Sequence, residues 1–91
     1  MLVLIVYDIP SDKRRLKLSN FLEGQGRRVQ ESVFECFISL DKMEKLYQQI
    51  QKRVKPPEDN VRLYWIPSDA LPKARTIGSP LPEPPPKAYI I

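Results

Sequence analysis

Histidine is absent from all 91 residues, and cysteine occurs once, at Cys36. The first absence removes imidazole acid–base catalysis, histidine metal ligation and any Ser-His-Asp nucleophile. The second removes an intrachain disulfide and a cysteine-based metal cage, and it fits a reducing, cytoplasmic setting. Any chemistry must fall to carboxylates, a metal ion, lysines, tyrosines or hydroxyls. Long apolar runs are also scarce. The run from Met1 to Tyr7 is too short to span a bilayer, and no small-residue cleavage site follows it. It reads as a buried strand, and no membrane partner is expected.

What is present begins with that strand. Alternate side chains of a strand face opposite ways, so Leu2, Leu4 and Val6 share one face and Val3, Ile5 and Tyr7 the other. Both faces are apolar and both need cover. Asp8 follows, at the strand's C-terminal end, where α/β folds commonly place ligands and chemistry. At this length a single domain has a limited core, and association would help it. The net charge of +4 has two readings: a polyanionic partner such as nucleic acid, or a merely soluble basic domain.

The remaining elements follow from periodicity and punctuation. Ser11 is a candidate N-cap for a helix over 13–23, with Leu18, Phe21 and Leu22 as its apolar stripe and Gly24 and Gly26 closing it. Residues 28–30 and 32–40 read as two short strands. Asp41 and Glu44 have capping-box spacing for a second helix carrying Met43, Leu46, Tyr47, Ile50 and Val54, which Pro56 and Pro57 stop. Residues 61–66 read as a strand, and 73–78 as a short final one. The domain is therefore residues 1–78. Residues 79–91 form a proline-rich tail ending in Ala88-Tyr89-Ile90-Ile91, either a frayed end or a docking arm.

This order, βαββαβ with an extra C-terminal strand, predicts a ferredoxin-like α+β sandwich. Two helices cover one sheet face and leave the other open, yet the first strand is apolar on both sides, and Val33 and Phe37 raise the same question in the third. An open apolar sheet face marks an interface, and the expectation is a homodimer. A charge introduced at Val3 or Ile5 is expected to disrupt it.

Asp8 is the first chemical candidate, either as a carboxylate capping the next helix or as a metal ligand. Mg²⁺ is usually held by one or two carboxylates with waters and substrate phosphate. A two-fold axis near the strand ends would bring Asp8 to its symmetry mate and supply two. The basic clusters Lys13-Arg14-Arg15, Arg27-Arg28 and Lys52-Arg53 are either solvated faces or phosphate contacts. Arg14, Arg15 and Arg28 are the candidates, because a guanidinium fork suits phosphate. Ser11 and Ser32 satisfy local backbone groups or bond substrate. Tyr64 and Trp65 read as packing, and Val33-Phe34-Glu35-Cys36-Phe37 does not match the consensus of an RNA-recognition sheet.

Tyr7-Asp8-Ile9, then Lys13-Arg14-Arg15, then Gly26-Arg27-Arg28-Val29-Gln30-Glu31-Ser32-Val33-Phe34-Glu35-Cys36 resemble the CRISPR-associated Cas-two proteins, small subunits of the spacer-acquisition machinery. Asn60 to Pro67 resembles their fourth strand, so the likeness spans about residues 1–78. The resemblance implies a ferredoxin-like homodimer whose last strand adds to the partner's sheet. It implies one Mg²⁺ shared by Asp8 of both subunits, and a metal-dependent endonuclease acting on single-stranded RNA or on DNA. It further implies an integrase subunit as partner during spacer integration. By motif position it carries roles to Tyr7, Asp8, Arg15, Arg28, Ser32 and Phe34. Pro10 stands where many relatives have a hydroxyl or acid, so no role transfers there. Two other readings compete: a non-catalytic DNA-binding scaffold, and a toxin-type ribonuclease of related fold.

Overall fold

The computed structural model describes residues 1–84; the Ala88–Ile91 hook lies outside them. The order is β1 (Leu2–Asp8), α1 (Asp12–Glu23), β2 (Arg27–Gln30), β3 (Val33–Phe37), α2 (Leu40–Gln51), β4 (Asn60–Ile66) and a 3-10 turn at Leu71–Lys73. The four strands form one antiparallel sheet in the order β2-β3-β1-β4. Each helix crosses over one intervening strand, the ferredoxin-like arrangement expected from the sequence. The apolar first strand thus lies in the middle, paired along its length with β4 from Leu2–Ile66 to Asp8–Asn60.

Its two apolar faces have different fates. Val3, Ile5 and Tyr7 are buried with Leu18 and Leu22 of α1, Leu46 and Ile50 of α2, and Phe34 and Cys36 of β3. Both helices therefore pack on this side. The opposite side carries Leu4 and Val6 of β1 and Val33, Glu35 and Phe37 of β3, all half-buried. This corrects the expectation for Val3 and Ile5: they belong to the helix-covered core, and Leu4 and Val6 belong to the open face. Glu35 sits among apolar neighbours there, opposite Leu4 on one strand and Arg27 on the other. Burial pushes its carboxyl above the usual range, while Arg27 pulls it back.

Both helices start on serine. The Ser11 hydroxyl accepts from the Arg14 N–H, and the Ser39 hydroxyl accepts from the Lys42 N–H. The second cap corrects the sequence reading. Ser39, not Asp41, starts α2, so β3 ends at Phe37, short of the expected Leu40. Tyr47, placed on the apolar stripe by periodicity, is exposed. Arg53 instead covers the rim of the helical layer, its guanidinium 3.8 Å from the Phe21 ring centroid.

The expected strand over 73–78 does not form in the single chain. Ala74 closes the 3-10 turn through a bond to Leu71, and the Arg75 guanidinium donates back to the carbonyls of Pro72 and Ala74. Ile77 is fully exposed.

Candidate nucleic-acid-processing groove

Three elements end around one open groove of about 630 Å³. The end of β1 contributes Tyr7 and Asp8, followed by Ile9. The first turns of α1 contribute Asp12, Arg15, Leu16 and Ser19, and the β2–β3 side contributes Arg28, Glu31 and Ser32. The Ser11 cap sets where α1 begins, only four residues after Asp8. Asp8, exposed at the end of a strand whose other residues are buried or half-buried, is held by the sheet and turned toward water.

Tyr7 ties two of the walls together. Its ring is buried 6.4 Å from the Phe34 ring, and its hydroxyl donates to the Glu31 carbonyl at 3.1 Å. Its backbone N–H donates to the Ser32 carbonyl at 3.1 Å. The β2–β3 turn is therefore pinned beside Asp8 by one residue. Phe34 is fully buried and reaches the groove only indirectly, as a platform with the Arg28 guanidinium 5.5 Å from its ring centroid. Arg28 has one loose ionic neighbour, Glu23 at 3.9 Å.

Arg15 and Arg14 are engaged differently. Arg15 donates through Nη1 to the Ile9 carbonyl at 2.9 Å and pairs through Nη2 with Asp12. Arg14 does not line the groove. Its Nε and Nη2 grip both oxygens of Asp59 at 2.7 and 3.0 Å, and Nη2 also reaches Glu58. Asp59, whose side chain has no exposed surface, also accepts from the Lys55 N–H at 2.8 Å. The Arg14 hydrogen bond holds the Asp59 carboxyl below the ordinary range and raises the guanidinium in turn. The sequence grouped Arg14 with Arg15 and Arg28 as phosphate contacts. The fold instead commits it to clamping the α2–β4 loop onto α1.

Asp12, Glu31 and Asp59 are functional or structural residues that the sequence reading did not single out. Only the one-turn spacing of Asp12 and Arg15 signalled a pair; nothing local marks Asp59 or Glu31. The structure does test the fit of a metal. Among the described residues no group of three or more carboxylate or cysteine side chains gathers to hold an ion. One chain thus offers Asp8 as an exposed oxygen donor of the kind a hard cation takes, without a closed protein cage around it.

Comparisons with known proteins agree with this fold. The family model for CRISPR associated protein Cas2 matches residues 1–74. A Synechocystis protein named CRISPR-associated endoribonuclease Cas2 3 is 40% identical over 90 residues, 99% of this chain and 98% of that one. The crystal structure of a hypothetical protein from Thermus thermophilus superposes with a TM-score of 0.78 at 37% identity, covering 90% of this chain and 96% of that chain. A chain of a partial Cas6-RT-Cas1–Cas2 complex is similar at a TM-score of 0.70 and 38% identity, covering 84% and 89%. An α+β sandwich of this topology with an aspartate at the end of its first strand is the class the fold defines. Within it, this chain belongs to the CRISPR-associated Cas2 family.

Proposed function

We propose that this chain is a metal-dependent endonuclease of the spacer-acquisition machinery, working as a homodimer on single-stranded RNA, with DNA as the other substrate class. The observation that carries the reading is the exposed Asp8, fixed at a strand end in a groove that also holds Arg15 and Arg28. The relatives named as endoribonucleases support it.

In this reading the open sheet faces of two copies pack together and bring the two Asp8 carboxylates to a common site. They would hold one Mg²⁺, which supplies charge to the scissile phosphate and lowers the pKa of water. The chain's own residues do the rest. Asp8 presents its carboxylate from a strand that cannot shift without breaking the sheet. Arg28 counters the negative charge of the phosphodiester, and the Tyr7-pinned turn keeps Ser32 beside it. With no histidine, and with the groove's other two acids, Asp12 and Glu31, exposed to solvent, no buried proton donor faces the leaving oxygen, so slow turnover is expected.

Likeness to a chain of a Cas1–Cas2 assembly favours a second reading, in which the same surface holds duplex DNA and an integrase subunit docks on the dimer. One comparison separates the two. Wild type and Asp8→Ala are assayed for RNA and DNA cleavage with and without Mg²⁺, with DNA binding measured in parallel. Cleavage lost and binding kept supports the nuclease. Cleavage unchanged in Asp8→Ala rejects the shared-aspartate site, and binding without cleavage by wild type supports the scaffold.

A further inference from the structure

The two groove arginines are not equivalent. Arg15 turns both terminal nitrogens to its own chain: one bonds the Ile9 carbonyl at 2.9 Å, and the other pairs with Asp12 one turn away. Ile9 directly follows Asp8, so the Arg15 bond fixes the chain where it leaves β1. Arg28 has no comparable bond. Its side chain is about as exposed as that of Arg15, but it stands over the Phe34 ring, and its only ionic neighbour among the described residues is Glu23 at 3.9 Å. An exposed guanidinium oriented by an aromatic face keeps its fork free for a planar oxyanion.

We infer that Arg28 is the phosphate contact of the groove, whereas Arg15 is a positioning residue that holds the Asp8–Ile9 turn. This deepens the nuclease reading and rests on it only for the role of Asp8. The bond from Arg15 spans strand and helix, so it locks the distance between the Asp8 backbone and the first turn of α1. Asp12 offsets the charge that would otherwise draw a phosphate to Arg15. Tyr7 braces the groove's other wall, and Asp8 stands between the two fixed points.

Three measurements on the full chain test the division. In binding of a labelled single-stranded RNA, each lost phosphate contact reduces the log–log salt slope by about 0.7. Arg28→Gln is expected to lose about that much, and Arg15→Met none. In the free protein, the amides of Arg14 and residue 15 donate to the Ser11 hydroxyl and carbonyl, and their hydrogen exchange is expected to quicken about tenfold in Arg15→Met. That figure corresponds to roughly 1.4 kcal/mol of lost local protection. Arg15→Lys, which keeps reach and a donor, restores slow exchange. In cleavage, Arg15→Met lowers kcat with KM unchanged and Arg15→Lys recovers it, while Arg28→Gln raises KM. A slope lost in Arg15→Met, or unchanged exchange at Arg14 and residue 15, overturns the inference. If wild type does not cleave, the nuclease reading fails, yet the exchange measurement still decides the role of Arg15.

Discussion

Asp59 and Cys36 show what burial does to a single ionisable side chain. Asp59 is charged, enclosed and held by a guanidinium and a backbone N–H. Its carboxyl titrates below the ordinary aspartate value, so its contribution to stability is present above about pH 4. That contribution is lost as pH falls through the depressed native value. Asp59→Asn should therefore lower Tm at neutral pH, and the gap to wild type should close as melting is repeated toward pH 2. A gap that persists there would mean that the loss is packing and not charge. Cys36 goes the other way. Burial, reinforced by Glu35, pushes its thiol up to about 11. At pH 8 only about 10⁻³ of it is thiolate, against roughly a quarter of a free cysteine. A thiol reagent should label it in the unfolded chain and leave the native one unmodified over the same period.

Elements were legible where local chemistry governs. The Ser11 cap, the alternation of β1 and the helical spacing of Leu18 and Leu22 all led to the observed structure. The end of β3 was misread because alternation continues from Ser32 to Leu40 in the sequence. A serine hydroxyl three residues before the Lys42 N–H ended the strand earlier. Gly26 was read as a helix terminator, and its larger role is non-local. A Cβ there would lie 2.5 Å from both the Cys36 sulfur and the Glu35 carbonyl. Gly26→Ala should cost about 1–3 kcal/mol by forcing β2 away from β3. Urea unfolding measures it, and an unchanged midpoint would show that the hairpin gives way cheaply. In the groove, Asp8, Arg28 and Ser32 could be read from order along the chain. Glu31 and the diversion of Arg14 to Asp59 could not, because they depend on pairings across 24 and 45 residues.

At the scale of the molecule, the sheet separates a helix-covered core from the open face assigned to the proposed dimer. Ile5 and Leu4 are neighbours in sequence on opposite sides of β1. Ile5→Asp buries an unpaired charge under both helices and should abolish folding. If the proposed dimer forms, wild type should sediment as a dimer, and Leu4→Asp or Val6→Asp should leave a folded chain with native far-UV circular dichroism that sediments as a monomer. A dimeric Leu4→Asp variant would place the self-association surface elsewhere. The segment after β4 belongs to the same question. Ile77 stands fully exposed and without a strand partner in its own chain, which suits strand addition to a second copy.

The central place of β1 also shapes how the protein is made. Of the strands in this sheet, β1 is synthesised before the others and is completed last, because its β4 neighbour ends only at Ile66. At about 5–20 residues per second, the stretch from Leu2 to Ile66 takes roughly 3–13 s to synthesise. Through that interval a segment of β-branched and leucine side chains, with no charge before Asp8, waits without its full complement of partners. Nascent chains should thus be most vulnerable to aggregation, and most dependent on chaperones, just before β4 is delivered.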